Sequence, residues 1–232
     1  MSLDRNFDAA VYLGSGTAPK TGSFVGDTFT DTDGTSLSAH TGEVGASWSA
    51  AGNITFGGQM FSNRVRGTSI FTRGAKASGT PATAEYDVAA DLVFVTDILN
   101  RDNGVFGRQV AGIGDANNTR YEAFHRNHFW TLRKWVANTN TTLGTFQETV
   151  GDGPTKALVL ELRDAAKKVY VDDVELISSS DNDITGAGFA GLFLGDNSDT
   201  TGVHLDNFTA TDASPPPPPT GGFTRMLMGV GS

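Results

Sequence analysis

The chain has 232 residues, 29 of them glycine, no cysteine, and a net charge of −9 from 17 basic and 26 acidic side chains. Such a length suits one all-β domain with a single core. The acidic balance opposes the phosphate neutralisation that nucleic-acid binding requires, so no nucleic acid is expected as a partner. Without cysteine there are no disulfides or thiolate metal sites, which leaves packing, and at most an oxygen-bound cation, to hold the fold.

Residues 1–24 are rich in Gly, Ser and Thr with scattered Phe7, Val11, Tyr12 and Leu13, and read as an N-terminal arm. No basic stretch followed by an apolar one opens the chain, so no leader is expected, and no apolar run is long enough to span a bilayer. Residues 25–212 alternate short apolar runs with turn formers, the pattern of serial antiparallel strands. Residues 84–95 read as one long strand with Glu85, Asp87, Ala89 and Asp91 on one face and Leu92, Val93, Phe94 and Val95 buried. Strands are expected next over 109–114, 120–125 and 129–137, broken by turns at 115–118 and 126–127.

Leu158, Leu160 and Leu162 mark a half-buried strand, and 161–168 reads as strand then turn rather than helix. Residues 168–171 and 174–177 flank Asp172-Asp173, a pair that tolerates left-handed turns, so a tight hairpin is expected. Strands over 188–194 and 203–210 close the set. No repeat of fixed period is present, which disfavours propellers and solenoids. Two packed antiparallel sheets follow, an all-β jelly-roll sandwich over 25–212. Five prolines, Pro215 to Pro219, form the centre of an extended linker over 213–220, and 221–232 is a short apolar tail.

The segments Asp27-Thr28-Phe29, Asp33-Gly34-Thr35-Ser36-Leu37, His40 and Gly45 through Trp48 resemble the first strand and loop of concanavalin A-like lectin/glucanase (LamG-like) jelly rolls. So do Glu85-Tyr86-Asp87-Val88, Arg120-Tyr121, the Val169 to Asp173 hairpin, Asp183 through Leu192, and Leu205-Asp206-Asn207-Phe208. The resemblance implies the sandwich more than a function, because one such fold hosts lectins, hydrolases and virion proteins.

Four roles are open to these residues. Glycoside hydrolysis needs two carboxylates flanking the scissile bond. The resemblance to family 16 glucanases implies Glu-x-Asp-x-x-Glu, but Glu85 and Asp87 are followed by Ala90 where the last Glu belongs, with Asp91 one place on, so no catalysis is expected. Carbohydrate binding needs aromatic faces beside polar groups. Alternation places Phe129, Thr131, Arg133 and Trp135 on one face of their strand, and Tyr121 or His125 from the preceding strand is expected to join them. Trp48 reads as a core or strand-edge aromatic.

Calcium is the one cation the composition invites, with Asp27 or Asp33 of the opening segment tied to Asp206 of the closing strand, as the jelly-roll likeness implies. Asp31-x-Asp33-Gly34 lacks the later Glu of a calcium loop, and Asp196 to Asp199 is an ordinary acidic turn. His125 and His128 lie on a hairpin, not a helix face, which disfavours zinc. The tail sets Phe223, Met226, Leu227, Met228 and Val230 beyond the proline spacer, where they are expected to dock on a partner.

The favoured function is therefore a non-enzymatic virion decoration protein, with a lectin-like jelly roll displayed on a virion surface. Its partners are other virion proteins or copies of itself, and surface glycans. The alternatives are a free extracellular carbohydrate-binding module and a divergent glycoside hydrolase using Glu85, Asp87 and Asp91.

Overall fold

The computed structural model describes residues 22–52, 57–68, 73–97, 101–113, 115–195 and 201–213. The tail residues Phe223, Met226, Leu227, Met228 and Val230, the proline linker and the acidic turn at 196–199 lie outside the described residues.

The described residues form strands joined by turns and loops, with no helix among them. Strands are numbered in chain order. One sheet of eight strands runs in the order Val174–Ser179 (β13), Lys167–Val171 (β12), Thr155–Leu162 (β11), Tyr86–Phe94 (β6), Val203–Asp212 (β15), Val65–Gly67 (β4) and Gly58–Met60 (β3). Ser23–Asp27 (β1) adds to β15 beside β4. The second sheet of seven runs Thr139–Gln147 (β10), Phe129–Val136 (β9), Thr119–Arg126 (β8), Asn103–Ala111 (β7), Phe189–Leu194 (β14), Arg73–Ala77 (β5) and Trp48–Ala50 (β2). Every strand pairing is antiparallel. The expected two-sheet jelly-roll sandwich is what the chain forms, with β1 starting inside the span assigned to the arm.

Period-two alternation explains the layering. On β6, Tyr86, Val88, Ala90, Leu92 and Phe94 are fully buried and face the other sheet, while Asp87 and Asp91 face outward. From β7, β8 and β9, Val105, Tyr121, Ala123, Trp130 and Leu132 meet them in one core cluster with Leu158, Leu160 and Leu162 of β11. Each such large side chain stabilises the fold by about 1.5–3 kcal/mol. Two-residue hairpins at Asn127-His128, Ala137-Asn138 and Asp172-Asp173 all take positive φ at both positions, the turn whose twist matches paired strands.

Two stretches depart from the expected pattern. The strand β10 was not expected, because Thr-Asn-Thr-Thr-Leu-Gly-Thr-Phe-Gln carries no apolar alternation. It is an edge strand with most side chains exposed, so no buried face imposes one. Strand β7 begins at Asn103, before the strand expected over 109–114, and its Gly104 and Gly107 are strand glycines set by close approach. A Cβ at Gly104 would lie 2.2 Å from the Ala123 carbonyl oxygen, and one at Gly107 would lie 2.6 Å from Leu162 Cδ1.

Candidate functional site

The register of β8 on β9 builds the candidate site. Arg120 stands opposite Trp135, Glu122 opposite Arg133, Phe124 opposite Thr131 and Arg126 opposite Phe129. All eight therefore share the outer face of the seven-stranded sheet. Phe129, Arg133 and Trp135 come together there, as the alternation on β9 requires.

Tyr121 does not join them. It stands opposite Lys134, on the core parity, and is fully buried with its hydroxyl donating to Asp181 Oδ1 at 2.5 Å. His125 has the same parity and packs on Phe94 and Trp130, with ring centroids 5.0 and 4.8 Å away. The residues that complete the outer face are instead their neighbours Arg120, Glu122 and Phe124. The signal for them is present in the sequence: Arg-x-Glu on one strand can lie against Arg-x-Trp on the next.

Electrostatics lock this face. Glu122 is 0% exposed and pairs with Arg120, while its Oε2 accepts from Arg133 Nε at 2.5 Å. Arg133 Nη2 also donates to Asp102 at 3.0 Å. Burial works against the Arg133 charge, but Glu122 and Asp102 outweigh it and hold the guanidinium above its ordinary pKa. The cations are interleaved with rings: Arg120 lies 5.0 Å from the Trp135 centroid and 5.4 Å from Phe193, and Arg133 lies 4.4 Å from Phe124 and 5.4 Å from Trp135.

Part of the face is roofed and part is open. Ala51, Phe106, Phe193 and Ile113 form a second apolar cluster, closed by the Gly52 to Ile113 bridge. Toward β10 the face opens. Asn140, Thr142, Thr145 and Gln147 are exposed there, opposite Trp135, Arg133, Thr131 and Phe129. Phe129 is 38% exposed, and the Trp135 indole N–H has no hydrogen-bond partner among the described residues.

The acid pattern lies on the other sheet. Asp87 pairs with Arg163 at 2.8 Å, Glu85 accepts from the Asp164 amide at 3.0 Å, and Asp91 accepts from Asn207 Nδ2 at 2.8 Å. Ala90 is fully buried between the sheets, so a carboxylate at that position would enter the core rather than a cleft. These side chains do not assemble a pair of free carboxyls across a groove.

Asp27 and Asp33, expected to hold calcium with Asp206, accept from protein donors. Asp27 is 1% exposed and accepts from the Phe29 amide at 2.7 Å, His40 Nε2 at 2.9 Å and Trp48 Nε1 at 2.5 Å. Burial, against these donors, raises its pKa above the ordinary carboxylate range. The other ring nitrogen of His40 reaches Asp31 at 3.0 Å, so the imidazole bridges two carboxylates. Asp33 accepts from the Ser62 amide at 2.7 Å. Among the described residues, no group of three or more His, Asp or Glu side chains is placed to hold a metal ion.

The sequence matches no protein-family model and no curated protein sequence. Solved structures do resemble this one. The carbohydrate-binding module CBM66 of Bacillus subtilis is similar with a TM-score of 0.55 at 16% identity, covering 71% of this chain and 95% of that one. A chain from a study of endo-acting O-glycanases of the human gut microbiota gives a TM-score of 0.57 at 8% identity, over 83% of this chain and 100% of that one. A β-1,3-1,4-glucanase from a mouse hindgut metagenome gives 0.52 at 9% identity, over 77% and 97%. At these identities the likeness is one of architecture, and the protein has the concanavalin A-like lectin/glucanase jelly-roll fold.

Proposed function

We propose that the protein is a non-enzymatic, extracellular or surface-displayed carbohydrate-binding module that takes a glycan along the open flank of the seven-stranded sheet, over β9 and β10. The observation that carries this reading is the half-buried Trp135 ring, held by the Arg120 and Arg133 guanidiniums 5.0 and 5.4 Å from its centroid and lying beside a row of exposed hydroxyl and amide side chains on β10. A preorganised aromatic with convergent polar groups supplies stacking for sugar C–H faces and partners for hydroxyls, at little ordering cost. The structural likeness to a carbohydrate-binding module and to a glucanase supports the fold equally for both classes, so this reading rests on the site's own chemistry. The acids Glu85, Asp87 and Asp91 are each already engaged by a neighbour, which favours binding over hydrolysis.

Neither the fold nor the structural likenesses support display on a virion. The test is binding of the intact protein to an oligosaccharide array, followed by calorimetry on the best ligand. Trp135→Ala is expected to weaken binding by about 10–100-fold, the scale of a lost stacking contact, and Phe129→Ala by less. An array with no bound glycan, or affinity unchanged in Trp135→Ala, overturns the reading.

A further inference from the structure

On the other side of the roofed cluster, the same sheet carries a cavity of about 200 Å³. It lies between the Ala50 to Gly52 connector, the end of β7, Lys76 of β5 and Phe189 of β14. At about 4.8 Å per strand, its walls on β7, β14, β5 and β2 stand two to five strands, roughly 10–24 Å, from β9. It is therefore separate from the Trp135 flank.

Its polar groups are unusual. Gln109 is 2% exposed, and its Nε2 donates to the Ala51 carbonyl at 3.0 Å. Because that partner can only accept, the orientation of the carboxamide is settled, and Oε1 is left buried without a hydrogen-bond partner in a residue that lines the cavity. A buried acceptor without a donor keeps its desolvation penalty, which a ligand hydroxyl reaching it would relieve. Lys76 holds its ammonium 4.7 Å from the Phe189 ring centroid and makes no ion pair among the described residues. Asp115 supplies a carboxylate to the lining, and Val110, 64% exposed, supplies an apolar rim. The wall is closely built: a Cβ on Gly112 would lie 2.5 Å from Gly52 Cα and 2.4 Å from Asp115 Oδ2.

We infer that this cavity is a second binding site, which accepts one neutral sugar ring as a free monosaccharide or the end of a chain. The volume admits a single ring rather than an extended chain. An orphan amide oxygen and a carboxylate accept from hydroxyls, Lys76 donates to a hydroxyl or ring oxygen, and Phe189 with Val110 covers the apolar face. One ammonium and one carboxylate in the same lining balance each other, so a neutral ring is preferred over a uronate. This site shares only its ligand class with the β9–β10 flank.

Saturation-transfer NMR on the full chain tests it, with methyl α-glucoside, methyl β-galactoside, fructose and glucuronate as probes at millimolar concentration. Transfer is expected to at least one neutral probe and to be weaker to glucuronate. Gln109→Leu and Lys76→Met should each reduce the affinity about tenfold, while Trp135→Ala leaves it within twofold. Lys76→Met keeps the alkyl stack on Phe189, so it decides the matter if Gln109→Leu fails to fold. Absence of transfer from every neutral probe, indifference to both cavity variants, or loss in Trp135→Ala overturns the assignment. Loss of oligosaccharide binding on the array, by contrast, bears on the β9–β10 flank alone.

Discussion

The two outer faces of the sandwich both bring carboxylates partly or wholly out of water, and they do so in opposite ways. On the seven-stranded sheet, register sets Glu122 against Arg133 and beside Arg120, so burial is compensated by two guanidiniums. On the eight-stranded sheet, the pairing of β6 with β15 sets Asp91 directly opposite Asp206. Burial first, and then the Asp91 charge, push Asp206 up to about 6. Burial likewise raises Asp91, against the hydrogen bond from Asn207. A bulge follows Asp206, with Asn207 at a φ of 49°, and it is this local kink that turns the Asn207 amide toward Asp91. Strand alternation is the same on both sheets; what differs is which residue the register places across the strand. One face thus becomes a rigid platform and the other a proton-sensitive pair.

The comparison breaks most severely if the compensated face is uncompensated. Glu122→Gln leaves Arg120 and Arg133 buried without their shared carboxylate, and denaturant unfolding is expected to show a loss of about 3–5 kcal/mol. A loss below about 1 kcal/mol would mean that water, not Glu122, balances those cations.

The like-charge face gives a smaller effect of opposite sign. A carboxyl whose folded pKa is raised contributes stability that is complete below its unfolded value of 3.8 and disappears as pH rises through about 6. Asp206→Asn removes the charge while Oδ1 can still accept from the Asn207 amide. It is expected to stabilise by roughly 1–2 kcal/mol at pH 7 and by almost nothing at pH 4. Melting curves at the two pH values check this, and an equal effect at both would remove the proton from the account.

The smallest effect concerns metal. With Asp27 taken up by His40, Trp48 and the Phe29 amide, melting temperature is expected to be the same in millimolar calcium and in chelator. A rise in calcium would show that a cation does bind the native state, because preferential binding must stabilise it.

Much of this was legible along the chain. The outward placement of Phe129, Arg133 and Trp135, the buried Leu158, Leu160 and Leu162, and the Asp172-Asp173 hairpin all follow from period two and turn chemistry, which are local properties. The edge strand β10 was not legible, since an exposed strand has no buried face to mark it. Nor was the parity of Tyr121 against β9, because a strand's own alternation does not say which of its faces meets a neighbour's.

What the sequence determined by itself is the sandwich and the alternation of the strands that have a buried face, because each such segment carries its two-residue period independently. What only the tertiary structure decided is which side chains stand across from one another. The pairing of Glu122 with Arg133, the approach of Asp91 to Asp206, and the cavity joining Ala51, Lys76, Gln109 and Phe189 depend on register between segments, and register is set by the packing of the whole core.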